Sequence, residues 1–354
     1  MFKFIELIKI KDCIIHKNSK PFLVAEAGIN HNGKIENALK MIQVAKRCGL
    51  DAIKFQTFKT EEFVNGSHQK YTYYSQGKKI TESMFDMFKR TEFSKKEWKL
   101  IKNKCDEEEI IFFSTPQNKT DLDLLLELGI PAIKVGSDDS TNFPLLKDYS
   151  KTGLPIIVSS GMSDLTDICK TLESIGTFEG YPTVLLVTTS QYPTPVKDVN
   201  LLKIRTLEKL FEHIPIGFSD HTRGTLASTL ALALGACFFE KHFTLDHNLP
   251  GPDHWFSEDP SGLESWAKNI KNSKILLGSS IITPTKKEEE MKKMARRSIV
   301  SLREIKKGEK FSYKNIGLRR PGIGFNSEFF GKIKGLAASK NISKNKIINS
   351  GDIE

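Results

Sequence analysis

No apolar run in this chain reaches the roughly 18 uncharged residues that a membrane-spanning helix requires, so no membrane segment is expected. The opening stretch MFKFIELIKIKDCIIHK is broken by charge and has no small-residue cleavage site, so no signal peptide is expected either. Cysteine is scarce. Cys13, Cys48, Cys105, Cys169 and Cys237 form an odd, widely spaced set. That argues against a disulfide frame or a zinc knuckle and points to reduced thiols in a cytoplasm. No G-x-G-x-x-G turn follows the first strand-like run, which ends in AGINHNG; a dinucleotide-binding loop is not expected. There is no internal repeat and no low-complexity tract.

What is present is a chain of 354 residues, 39% hydrophobic and 27% charged, the balance of a folded protein. Its net charge of +10 is unevenly placed, because Lys286 to Glu354 holds 18 basic and 8 acidic residues and so carries the whole excess. Such a segment suits nucleic acid, an anionic substrate or a plain solvated surface. It lacks the interleaved aromatics on which single strands stack, so nucleic acid is not the expected partner.

Eight short apolar runs end in polar residues: residues 21–33, 52–58, 110–116, 132–139, 155–162, 183–194, 214–221 and 237–243. Amphipathic stretches such as IENALKMIQVAKRCG lie between them, closed by glycine. Eight buried strands alternating with helices predict an α/β fold, a parallel (β/α)8 TIM barrel over residues 1–278. The stretch from Lys59 to Lys96 is long for a strand-to-helix connection and reads as an insertion at the catalytic end. Residues 279–295 read as a polar linker. Residues 296–354, with KKGE and RPGIG turns, read as a small β-rich domain near the size at which a lone core is marginal.

In such barrels the C-terminal strand ends face the active site. Side chains two apart on a strand share a face, which pairs Lys54 with Gln56, Ser219 with His221, and Glu240 with His242. Lys54 and Lys134 stand inside apolar strands, and an inward ammonium needs an anion. A carboxylate such as Glu26 or Glu240 would serve for one of them; for both together, among several hydroxyls, a bound phosphate or carboxylate is the better reading. His221 and His242 end consecutive strands. Two imidazoles with open positions suit a catalytic divalent metal such as Mn²⁺, with Asp220 and Glu240 to orient them. Two hydrogen-bonded histidines without a metal fit the same spacing. The loop LDHNLPGPDH adds Asp253 on a stiff turn, fit either to grip sugar hydroxyls or to be an ordinary surface turn.

Taken in order, AEAGINHNG, IKFQT, STP, IKVGS, SSGM, QYPTP, SDHT, EKHFTLD and PGPDH resemble the sialic acid synthase family. The KKGE and RRPGIG stretch resembles that family's C-terminal antifreeze-like (SAF) domain, a β-clip. The resemblance implies a cytoplasmic transferase that condenses phosphoenolpyruvate with an N-acylated mannosamine-type sugar, releasing phosphate by C–O cleavage. It implies a divalent metal, Mn²⁺ with Mg²⁺ or Co²⁺ as alternatives, on His221 and His242, and Glu26 as the carboxylate near the reacting carbon. It places Lys54, Thr115, Lys134, Ser137, Ser159, Ser190 and Ser219 on phosphoenolpyruvate. Gln56, Asp139, Tyr192, Asp253 and Arg320 fall on the sugar, Arg320 from the partner of a domain-swapped homodimer. Four features depart from the family pattern at the expected sugar site: Gln117 after STP, Asp139, Ser190, and the HWFSEDP stretch. The acceptor is therefore open among N-acetylmannosamine, a 2,4-diacetamido-6-deoxy mannose (giving legionaminic acid) and the corresponding altrose (giving pseudaminic acid), with FTLD…PGPDH favouring the first two. A pyruvate-using metal-dependent aldolase would use the same two histidines, but its single carboxylate hardly needs both lysines.

Overall fold

The computed structural model describes residues 3–354. The chain forms two compact units, one ending at Gly278 and one running from Ser279 to Glu354. The first is a closed barrel of eight parallel strands in sequential order. They are β1 (Phe22–Gly28), β2 (Ala52–Thr57), β3 (Ile111–Pro116), β4 (Ile133–Val135), β5 (Ile156–Ser159), β6 (Thr183–Val187), β7 (Ile216–Asp220) and β8 (Phe238–His242). The ring closes where β8 pairs with β1, Phe238 opposite Phe22 and His242 opposite Glu26.

Strand alternation divides the side chains into two sets. Leu23, Ala25, Ala27, Ile53 and Phe55 join the large core shared with the surrounding helices. Phe22, Val24, Ala52, Phe113, Ala132, Ile157, Leu186 and Phe238 fill the lower barrel interior. Gly217 belongs to the crowded interior, since a Cβ there would lie 2.4 Å from Leu186 Cδ2 and 2.6 Å from the Phe238 carbonyl oxygen. Two residues further along seven of the eight strands the inward series turns polar: Glu26, Lys54, Thr115, Lys134, Ser159, Ser219 and Glu240, all buried. The floor is sealed by an N-terminal hairpin, Ile8–Ile10 with Cys13–Ile15, whose Ile8, Ile10 and Ile15 are fully buried among the lower interior residues. Burying three such side chains stabilises the barrel by roughly 1.5–3 kcal/mol each.

The insertion after β2 holds a short helix (Thr60–Phe63), a two-stranded hairpin (Lys70–Ser75 with Lys78–Ser83) and a helix (Met84–Lys89). The hairpin turns at Gln76-Gly77, both at positive φ, 51° and 74°, which Gly77 adopts without a steric cost. The second unit is described by itself. Residues 279–295, read above as a linker, carry a helix, Lys286–Ala295, started by a Thr285/Glu288 capping box. Antiparallel strands Ser298–Ser301 and Ile316–Arg319 follow. Ile299, Ile305, Phe311, Ile316, Ile333, Ala338, Ile342 and Ile348 form its core.

Candidate active site

At the C-terminal mouth, four charged side chains meet in a chain, each within 4 Å of the next: Glu26, Lys54, Glu240 and Lys134. Lys54 Nζ lies 2.8 Å from Glu26 Oε2 and 3.6 Å from Glu240 Oε2. Lys134 Nζ lies 3.9 Å from Glu240 Oε1, and donates to Ser159 Oγ at 2.7 Å and to the Val135 carbonyl at 2.9 Å. Lys54 also donates to Thr115 Oγ1 at 3.3 Å, and Ser219 Oγ donates to Glu240 Oε1 at 2.9 Å. Both lysines thus have carboxylate neighbours, and Lys54 the closer one. The two carboxylates are pushed apart in character. Burial raises the Glu26 carboxyl well above the ordinary range, against the pull of Lys54. Burial acts the same way on Glu240, but Lys134 and Lys54 outweigh it and hold that group below its usual value. A pair so divided fits one permanent counter-ion and one proton-handling acid.

Hydroxyls gather beside Lys134. Gly161 N–H donates to Ser137 Oγ at 3.1 Å. A Cβ on Gly161 would lie 2.4 Å from Ser190 Oγ and 2.5 Å from Ser137 Oγ, so backbone and two hydroxyls converge on one small space. Backbone N–H groups and hydroxyls in such a cradle suit a phosphate.

His221 Nδ1 lies 2.8 Å from the Thr189 carbonyl oxygen, so Nδ1 carries the proton and Nε2 keeps its lone pair. His242 Nδ1 is buried without a hydrogen-bond partner. The two rings are 5.3 Å apart, with Tyr192 4.3 Å from His221 and Phe256 5.7 Å from His242. Burial pushes both imidazoles below their ordinary range, His221 to about 4. Two neutral imidazoles with free lone pairs are what a divalent metal needs from histidine. Among the described residues no third His, Cys, Asp or Glu joins them as a ligand set. They therefore fit a metal held by two protein groups, the rest of its coordination left to substrate and water.

Four buried side-chain atoms among the described residues, Asn30 Oδ1, Gln117 Oε1, Ser190 Oγ and His242 Nδ1, have no hydrogen-bond partner, and two more, Glu26 Oε2 and Glu240 Oε2, are met only by the Lys54 ammonium. Every one belongs to the end of a barrel strand or to the loop after it. Buried polar groups are almost always paired, so this concentration marks the mouth as a place built for a ligand.

Other expected residues are placed as follows. Gln56 is half-buried on the inward face of β2, and Tyr192 is on the rim, preceding a cis peptide bond to Pro193. Burial alone raises the Asp253 carboxyl, to about 7. Asp139 accepts from Asn142 Nδ2 at 3.1 Å at the start of helix Phe143–Ser150, while the charge acting on Lys54 and Lys134 from this loop is that of exposed Asp138. Arg320 is exposed in the second unit. One expectation is corrected: Asp220 and Glu240 do not orient the histidines. Glu240 faces the lysines, and Asp220 points outward to Lys241 at 3.0 Å and Ser228 Oγ at 2.6 Å. The Thr189 carbonyl does the orienting for His221, a main-chain role that side-chain spacing does not reveal.

A closed parallel barrel with its polar groups at the C-terminal mouth defines a barrel enzyme. The particular kind follows from comparison: the chain belongs to the NeuB family, which matches residues 41–282, and is an enzyme of the sialic acid synthase type. It is 37% identical to N,N'-diacetyllegionaminic acid synthase of Legionella pneumophila, over 91% of each chain. It is 31% identical to pseudaminic acid synthase of Campylobacter jejuni, over 95% of this chain and 98% of that one. The crystal structure of N-acetylneuraminic acid (sialic acid) synthetase from Leptospira borgpetersenii, in complex with citrate, matches with a TM-score of 0.72 at 32% identity, over 80% of this chain and 94% of that one.

Proposed function

We propose that this barrel condenses phosphoenolpyruvate with an N-acylated mannosamine-type sugar, N-acetylmannosamine or its 2,4-diacetamido-6-deoxy relative, to give a nonulosonic acid and phosphate. The observation that supports it most is the pair of buried lysines, Lys54 and Lys134, at a strand-end mouth that also holds the Gly161 cradle and the unpartnered Ser190 Oγ and His242 Nδ1. The higher identity to the legionaminic than to the pseudaminic acid synthase supports a manno-configured acceptor.

In this reading Lys54, Thr115, Lys134, Ser137, Ser159, Ser190 and Ser219 hold the carboxylate and phosphate of phosphoenolpyruvate. Gln56, Asp139, Tyr192 and Asp253 hold the sugar. A Mn²⁺ ion on His221 and His242 would supply polarisation of the sugar aldehyde. Carbon 3 of phosphoenolpyruvate bonds to the aldehyde carbon, and positive charge develops at carbon 2. Glu26, when ionised, stabilises that charge; when protonated, it returns a proton. Water adds at carbon 2, the C–O bond to phosphate breaks, and phosphate leaves with the bridging oxygen. The reading includes a homodimer with exchanged C-terminal units, in which Arg320 reaches the partner's sugar. The positive charge of that unit favours an anionic ligand.

The test is phosphate release from enzyme, Mn²⁺, phosphoenolpyruvate and each of the three sugars. Release with a manno sugar is expected, lost in His221→Ala and after chelation. No release with any sugar overturns the substrate assignment, and full activity after chelation overturns the metal. Turnover of pyruvate without phosphate would replace the reading with the aldolase.

A further inference from the structure

The stretch HWFSEDP, which departs from the family pattern, lies against the two histidines, and the fold pins it there. Glu258 N–H donates to the His242 carbonyl at 2.9 Å, and Thr244 N–H to the Glu258 carbonyl at 2.8 Å, so the segment runs beside the end of β8. Ser257 Oγ donates to the Asp253 carbonyl at 2.6 Å and accepts from Asn30 Nδ2 at 3.1 Å. Arg223 Nη2 donates to the Trp255 carbonyl at 2.9 Å, and its guanidinium carbon stands 5.3 Å from the centre of the Trp255 ring. The insertion hairpin adds Ser75 Oγ, which accepts from Gly251 N–H at 3.1 Å, and the Tyr74 ring, 5.9 Å from that of Trp255. Phe256 lies between these fastenings and is 4% exposed. A buried ring on a segment tied at both sides has little freedom to move.

The two histidines are held differently. The Thr189 carbonyl fixes His221 through Nδ1 at 2.8 Å. His242 Nδ1 is buried without a partner, so no hydrogen bond at that nitrogen sets the angle of the ring. Three rings set it, all steeply inclined to it: His221 at 5.3 Å and 64°, Tyr192 at 5.7 Å and 82°, and Phe256 at 5.7 Å and 61°. His221 is itself a candidate ligand, and Tyr192 is 43% exposed at the rim. Phe256 is the buried contact, on a segment fastened to the strand of His242 itself. A metal-binding histidine is ordinarily oriented through its second nitrogen. Edge-to-face contact between rings also has a preferred angle and can do the same. Resting on the reading that His221 and His242 hold a divalent metal, we propose that Phe256 is a positioning residue for that metal, acting through His242. Its ring does for His242 what the Thr189 carbonyl does for His221.

The test is titration of the full-length enzyme with Mn²⁺ alone, the free ion read by electron paramagnetic resonance, alongside the melting temperature of each variant. Phe256→Leu keeps an apolar side chain and removes the ring. It should raise the Mn²⁺ Kd about ten-fold or more, the low end for loss of a group that orients a metal ligand. Ile10→Ala loosens the same barrel from its floor; it should lower the melting temperature and leave the Mn²⁺ Kd within about two-fold of wild type. An unchanged Kd in Phe256→Leu overturns the proposal. So does a rise in Ile10→Ala as large as that in Phe256→Leu, which is general loosening. Wild-type Mn²⁺ binding that survives His221→Ala is a different result: the ion is then held elsewhere, and the metal reading falls together with this inference.

Discussion

The outward ion pair behind the two histidines is the place where a single substitution should cost the barrel most. Lys241 and Asp220 are register partners on β8 and β7, each preceding a histidine of the site. Both are buried, with Lys241 Nζ 3.0 Å from Asp220 Oδ2, 3.6 Å from Glu258 Oε1 and 3.1 Å from the Gly224 carbonyl, and touching the Thr222 carbonyl. At an effective dielectric near 20, the 3.0 Å contact is worth about 5–6 kcal/mol of attraction, most of which offsets desolvation. Lys241→Met would leave Asp220 buried without its cation. Breaking a buried pair in this way costs about 3–5 kcal/mol. The lower end applies, because Asp220 keeps three donors: Thr222 N–H at 2.8 Å, Thr222 Oγ1 at 2.7 Å and Ser228 Oγ at 2.6 Å. The assay is urea unfolding by tryptophan fluorescence. Trp98, Trp255 and Trp266 are the chain's three tryptophans and all lie in the first unit, so the signal reads the barrel alone. Trp266 Nε1 donates to Ser228 Oγ at 2.8 Å, which makes it a direct reporter of the network. In a double-mutant cycle with Asp220→Asn, a coupling of about 2 kcal/mol or more is expected. A coupling under about 0.5 kcal/mol, that of an exposed pair, would refute the reasoning.

Other outcomes follow from the same geometry. Gly161→Ala should raise phosphoenolpyruvate KM at least about ten-fold with acceptor KM little changed, because its Cβ enters the Ser137/Ser190 cradle; unchanged kinetics would empty the cradle of its role. Ile10→Ala in the floor hairpin should cost about 2–4 kcal/mol in the same urea assay. His254 is buried with its pKa lowered to about 4. Its contribution is therefore full above the unfolded value near 6.5 and is lost as pH falls from there toward 4. His254→Gln should flatten the acid loss of stability by one proton, about 1.4 kcal/mol per pH unit, between those limits; an unaltered slope would mean that the imidazole is charged in the fold.

The barrel is legible because each strand is an apolar run ended by polar residues, and because alternation carries Val24 to Glu26 and Ala132 to Lys134. What escapes the sequence escapes for physical reasons. β4 is only three residues long, so alternation lapses before Asp138 and Asp139, and their directions cannot be counted forward. Alternation from Glu240 and His242 turns Lys241 outward but does not show what it meets there: Asp220, Glu258 and two carbonyls form a polar pocket on the outer side of the strands. The N-terminal stretch reads as something that is not a signal peptide, and only the closed barrel shows why Ile8, Ile10 and Ile15 are apolar. The hairpin's tie to the Asp253 loop joins residues 75 and 251, a distance along the chain that no local pattern spans.

The central claim is carbon–carbon bond formation with C–O cleavage at this mouth. It is tested most directly with phosphoenolpyruvate carrying a heavy oxygen isotope at the bridging position, incubated with enzyme, Mn²⁺ and the manno-configured sugars. Mass spectrometry should find the label wholly in phosphate, and a product equal in mass to the sugar plus one pyruvic acid. Label retained in the organic product, or phosphate released at the same rate without sugar, would contradict it.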